Sequence, residues 1–91
     1  MELIIRGLKL VQTCGACPEQ YDVYDGTGKY VAYLRLRWGY FSARMGGPSG
    51  KEIYGENVGD NLTGCFSNED EREEYLSAAI RLIKKEIKKN K

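Results

Sequence analysis

The apolar positions of the chain recur with two different periods, and the change between them divides it into a sheet-forming part and a helix-forming part. In residues 30–38, Tyr30, Ala32, Leu34, Leu36 and Trp38 fall on one side, while Val31, Tyr33, Arg35 and Arg37 fall on the other. That is the period of two of a half-buried strand. A tight turn at Trp38 and Gly39 sets Arg37 opposite Tyr40 and so predicts the partners of the next strand. Leu36 meets Phe41, Leu34 meets Ala43 and Ala32 meets Met45 on one face, whereas Arg35 meets Ser42 and Tyr33 meets Arg44 on the other. Both faces come out segregated, and a slip of a single residue would mix them. Upstream, a loop from Gly26 to Lys29 places Val23 opposite Ala32 and Tyr21 opposite Leu34, which extends the same buried face to a third strand.

The run from Leu3 to Val11 predicts a strand, or two strand segments bent at Gly7. Gly and Pro break the pattern in 13–20 and again in 46–52, and both stretches read as loops; 53–58 reads as a short strand and 59–64 as a turn-rich connection. After Phe66 the period changes. Leu76, Ile80, Ile83 and Ile87 form an apolar stripe at helical spacing, with Ser67 or Asn68 as N-cap, Glu71 in capping-box position, acids at the start and lysines at the end. The last residues, 84–91, read as frayed. The expected fold is α+β: an antiparallel β-sheet meander with one C-terminal α-helix packed on one face. The other face, with Tyr24, Tyr33, Arg35, Arg37, Tyr40 and Arg44, is left uncovered.

Length and charge narrow the function. Residues 1–91 make a single domain near the lower end of what one hydrophobic core supports. A net charge of +1 argues against a general polyanion binder. The absence of histidine removes the catalytic triads and the commonest metal ligand, so the chain is read as a non-enzyme with no cofactor. Charges at Glu2, Arg6 and Lys9 interrupt any apolar run long enough for a signal segment or a membrane span, which leads to the expectation of a cytoplasmic protein with no membrane contact. An odd count of three cysteines with no export signal argues against a disulfide framework.

Cys14 and Cys17 stand in C-x-x-C spacing, which suits a zinc knuckle, a redox pair or a tight turn. Zinc requires four ligands and only Cys65 remains to join the pair; a thioredoxin-like pair requires a helix start after a strand. The preferred reading is a turn whose cysteines pack as small hydrophobes, with no metal site. The sequence "GGPSGK" is one residue short of a phosphate loop and is followed by Glu52 where Ser or Thr would hold magnesium, leaving Lys51 as a loop contact. The strongest candidate is the uncovered face. Tyr33, Arg35, Arg37, Tyr40 and Arg44, with Lys51, combine stacking rings with guanidinium forks suited to phosphate or carboxylate. Tyr and Arg are also ordinary exposed strand residues, and Asp22 beside Tyr33 offsets part of the charge.

The segments "CPEQYDVYD" and "YVAYLRLRWGYF", with "IYG", a Gly-Asp turn and "EREEYL" further on, resemble a family of small accessory proteins of bacteriophages, prophages and their hosts, over most of the chain. That resemblance transfers no catalytic residue. It implies a phage-type protein that binds a host factor, inhibiting a defence system or sequestering an anionic nucleotide signal. The partner expected is therefore a host protein or an anionic small molecule. The alternatives are an RNA- or single-strand-binding module and, third, a metal- or cysteine-dependent enzyme. A homodimer is also expected, formed through a sheet edge such as the apolar strand at Leu3 to Val11, or through the helix, so that the Tyr–Arg face stays open.

Overall fold

The computed structural model describes residues 2–13 and 18–89. Six strands, β1 (Glu2–Ile5), β2 (Leu8–Gln12), β3 (Glu19–Tyr24), β4 (Tyr30–Arg37), β5 (Tyr40–Met45) and β6 (Lys51–Asn57), precede one helix, α1 (Glu69–Lys89). The strands lie side by side in chain order, each antiparallel to the next. The helix packs on one face, which is the α+β arrangement expected from the periodicity.

The β4–β5 register is the one that face segregation predicts, from Arg37 opposite Tyr40 to Ala32 opposite Met45. Its turn has both central residues at positive φ, Trp38 at 56° and Gly39 at 70°. Such a turn matches the right-handed twist of the flanking strands. Gly39 is required there for space as well, because a Cβ would lie 2.0 Å from the Asp60 carbonyl oxygen. The β1–β2 turn is built in the same way, on Arg6 and Gly7.

Leu8, Leu10, Tyr21, Val23, Ala32, Leu34, Leu36, Phe41 and Ala43 bury the inner sheet face against Leu76, Ala79, Ile80 and Ile83 of α1. Each large aliphatic side chain so buried contributes about 1.5–3 kcal/mol. Phe41 extends the core as an aromatic cluster, edge-on to Tyr54, Phe66 and Tyr75. Asn68 caps the helix: its Oδ1 accepts the Glu71 backbone N–H at 2.8 Å, and Glu71 Oε1 accepts the Ser67 N–H at 2.8 Å.

The helix N-terminal half is also tied to the sheet by a buried ion pair. Glu19 is 2% exposed, and its carboxylate accepts Arg72 Nε at 2.9 Å, Arg72 Nη2 at 3.0 Å, the Tyr21 hydroxyl at 2.8 Å and the Phe66 backbone N–H at 2.8 Å. Burial pushes the Glu19 pKa up, but the bonds from Arg72, Phe66 and Tyr21 outweigh it and the carboxyl sits below its ordinary range. Burial, then the bond to Glu19, raises the Tyr21 hydroxyl.

Several expectations are corrected. β3 begins at Glu19, inside the stretch read as a loop, because a carboxylate on the buried side of an alternating strand looks like a break in it. The helix continues through Lys89 rather than fraying from 84, held by Ile83 and Ile87 against the core. A bulge displaces the strict alternation of β4: Val23 pairs with Ala32 and Tyr24 pairs with Tyr30, so Val31 has no opposite number. Val31 packs on the core, whereas the Tyr30 ring meets Tyr24 edge-on at 5.6 Å on the open side. Trp38 leaves the apolar face for the turn, 63% exposed.

Cys65 is disulfide-bonded, which overturns the argument against a disulfide. The odd count of cysteines carried that argument, but one bridge needs only two of three cysteines, and a small core gains much from a covalent tie. Cys14 and Cys17, and the zinc, redox and turn readings attached to them, lie outside the described residues. Among the described residues no group of three or more His, Cys, Asp or Glu side chains could hold a metal ion. Among the described residues no helix is long and apolar enough to cross a membrane.

Candidate functional site

The open face is assembled by strand register alone. Gln20, Arg35, Ser42 and Gly55 form one cross-strand row; Asp22, Tyr33, Arg44 and Glu52 form the next. Arg37, Tyr40 and Asn57 form a third, at the turn end of the hairpin. Neighbouring strands stand about 4.8 Å apart, so side chains within a row touch or bond one another.

Glu52 organises one half of the face. Its Oε2 accepts the Tyr40 hydroxyl at 2.6 Å and its Oε1 accepts Arg44 Nη2 at 3.1 Å, while Arg44 Nη1 donates to the Gly50 carbonyl at 3.1 Å. The bond to Glu52 is the main cause of the raised pKa of the Tyr40 phenol. Tyr40 reaches Glu52 across Gly55, where any side chain would intrude: a Cβ there would lie 1.8 Å from the Tyr40 hydroxyl. On the other side Tyr33 donates to Gln20 Oε1. Burial, then the charge of Asp22 and a bond to it, pushes Tyr30 up to about 12.

Arg35 and Arg37 are in a different situation. The guanidinium of Arg35, half-buried between the Gln20 and Ser42 positions, makes no hydrogen bond or ion pair among the described residues. Arg37 is exposed and has, among the described residues, only an aromatic contact, its Cζ lying 5.4 Å from the centre of the Trp38 ring. Two guanidinium groups therefore stand on this face without a carboxylate, beside a third that Glu52 neutralises. Ser42 and Gly55 contribute little side chain to the row that Arg35 occupies, and the Tyr40 phenol with Glu52 fills the space above Gly55.

Of the residues singled out in the sequence, Tyr33, Arg35, Arg37, Tyr40 and Arg44 are brought together on one surface. Lys51 is not. It pairs with Met45, whose side chain packs on the core, so it belongs to the opposite side at the edge of β6. Asp22 does lie opposite Tyr33, but its charge acts on Tyr30, whose phenol it helps to raise. Glu52, Gln20 and Gly55 were missed. Glu52 carried a signal only as a mismatch in a phosphate motif, and a register shift between Ala43 and Arg44 hides its pairing with Arg44 from any counting of residues.

The face brings forked cationic donors, phenol rings and an amide together on one side of the sheet. No family model matches the chain, and neither the curated proteins nor the solved structures contain a match to it.

Proposed function

We propose that this chain is a non-enzymatic binding module of the phage accessory type, which holds an anionic group of a host factor on the open face through Arg35 and Arg37, with Tyr33 and Tyr40 alongside. The observation that carries the reading is the contrast among three arginines on one face, each in its own cross-strand row. Arg44 has its carboxylate, whereas among the described residues Arg35 and Arg37 have none, on a face that no other described element covers. An unpaired half-buried guanidinium gains most from a phosphate or carboxylate partner. The host factor is either a protein with an acidic surface, such as a component of a defence system, or a nucleotide signal. Screening nucleotides by calorimetry beside a pull-down from host lysate separates the two. Replacing Arg35 and Arg37 together by Ala abolishes the binding; retention of full affinity in that variant removes the proposal.

A second reading, a single-strand nucleic-acid module, draws on the four tyrosines Tyr24, Tyr30, Tyr33 and Tyr40 that share this side of the sheet. It requires affinity for oligonucleotides that falls with salt at a logarithmic slope of about −0.7 per phosphate neutralised. A flat salt dependence eliminates it.

Two further features belong to the same reading. β1 is an edge strand and exposes Ile4, which is where the expected homodimer would pair; light scattering of wild type and an Ile4→Lys variant tests it. The cytoplasm as the place of action has to be reconciled with the Cys65 disulfide, since reducing compartments rarely preserve one. Alkylation of thiols in freshly lysed cells reads the redox state of Cys65 directly.

A further inference from the structure

A cleft of about 750 Å³ opens at the end of the molecule where α1 terminates, between the last turns of the helix and the turns that join β1 to β2 and β3 to β4. Its rim is cationic. Arg81, Lys84, Lys85 and Lys88 line it from the helix and Arg6 from the β1–β2 turn, and Lys84 Nζ is held against that turn by the Arg6 carbonyl at 2.7 Å. Leu8 and Ile87 supply the apolar part of its wall.

The helix dipole explains some of these lysines but not the group. Dipole stabilisation is confined to the last turn, and Arg81 lies more than two turns before Lys89. Arg6 belongs to another element altogether. Along the helix, Arg81 has Lys84 and Lys85 as its neighbours, and Lys88 has the same two, spacings at which like charges destabilise a helix. None of the five cations forms an ion pair among the described residues, although Lys89 on the same helix is paired with Glu86. Among the described residues Asp25 is the one carboxylate lining the cleft, and its Oδ1 is occupied by its own turn, accepting the Thr27 N–H at 2.9 Å, the Thr27 hydroxyl at 2.6 Å and the Lys29 N–H at 3.0 Å.

From this uncompensated rim around an apolar wall we infer that the cleft binds a phosphate monoester carried on an apolar stem, the head group on the cations and the stem along Leu8 and Ile87. The cleft lies on the helix side of the sheet and is independent of the open face. The same chemistry occurs in a free alkyl or prenyl phosphate and in the head of a phosphatidic lipid.

The test is calorimetric titration of the full chain with octyl phosphate, inorganic phosphate and octyl glucoside. Octyl phosphate is expected to bind at least about tenfold more tightly than either of the others, because only it uses both the rim and the wall. Charge reversal at exposed positions, in Arg81→Glu and Lys88→Glu, weakens octyl phosphate by about tenfold or more while the melting transition is retained. Ile87→Ala removes its advantage over inorganic phosphate. The Arg35→Ala, Arg37→Ala double variant binds octyl phosphate as wild type does, which separates this site from the open face. Sedimentation with vesicles containing phosphatidic acid, against vesicles of phosphatidylcholine alone, assigns the ligand to a lipid head if the protein co-sediments and to a free monoester if it does not. Equal affinity for octyl phosphate and octyl glucoside, or full octyl phosphate affinity in both charge-reversal variants, overturns the inference.

Discussion

The protein uses the same three side chains twice, on opposite sides of one sheet. On the inner side Glu19, Arg72 and Tyr21 bond one another beneath the helix; on the outer side Glu52, Arg44 and Tyr40 do so in front of solvent. The connectivity is the same, a carboxylate receiving a guanidinium and a phenol. The surroundings differ: Glu19 is 2% exposed, whereas the Glu52 and Arg44 side chains are 32% and 36% exposed. In water the attraction between the partners is nearly matched by what each would make with solvent, whereas the buried Glu19 carboxylate has no solvent to turn to, although Arg72 also reaches the exposed Glu69. The inner trio therefore bears on stability and the outer trio on the shape and charge of a surface.

The largest effect expected from breaking this comparison is that of Arg72→Ala. It leaves a buried carboxylate without its cation and destabilises the fold by about 3–5 kcal/mol. Arg44→Ala, the equivalent change outside, costs about 1 kcal/mol or less. Urea denaturation of the two variants in parallel decides the matter, and equal losses would refute the contrast.

Cys65→Ser comes next, with an expected loss of about 2–4 kcal/mol. Cys65 stands between Gly64, whose carbonyl accepts the Glu19 backbone N–H at 2.8 Å, and Phe66, whose N–H bonds the Glu19 carboxylate. The disulfide and the inner trio thus hold the same stretch of chain. A double variant with Arg72→Ala should lose less than the sum of the single losses, the mark of neighbours that share a function.

Acid sharpens the contrast further. The folded pKa of Glu19 lies below its ordinary 4.5, so the trio contributes fully above pH 4.5 and its contribution is lost as the pH falls through the lowered folded value. Melting temperatures followed downwards from pH 5 should fall more steeply in wild type than in Glu19→Gln. The Gln variant begins less stable and has no carboxyl there to titrate.

The smallest effects on stability belong to the open face. Gly55→Ala places a methyl group where the Tyr40 hydroxyl lies, and because the phenol is the free end of a side chain it can swing away. Stability changes by about 1 kcal/mol or less, but the Tyr40 phenol returns towards its ordinary 10.0, which ultraviolet titration detects. Replacing Arg35 and Arg37 by Ala leaves stability within about 0.5 kcal/mol per site, since neither is bonded to a carboxylate. Its expected consequence is confined to binding.

Much of the sheet was legible from the order of residues. Tyr33, Arg35, Arg37, Tyr40 and Arg44 were placed on one face by a period of two and a two-residue turn, and the structure keeps them there. Local rules suffice for this because alternate side chains of a strand must point to opposite sides, and a hairpin turn fixes the register of its arms. The capped, amphipathic helix was legible for the same kind of reason. Tyr30 and Lys51 show where local rules stop: each lies beyond an irregularity, and a single extra residue exchanges the faces of everything after it.

The order of amino acids by itself therefore determined the strands, the pairing of the central hairpins, the helix and the membership of most of the open face. Only the tertiary structure decided which charges on that scaffold are spent and which are free. Arg72 reaches Glu19 across 53 residues of chain, Glu52 rather than Asp22 neutralises Arg44, and Arg35 and Arg37 are left unmatched. The physical reason is one of range. Alternation, turns and caps are set by neighbours along the chain, whereas the partner of a charge is whichever opposite charge the completed packing brings within about 4 Å of it.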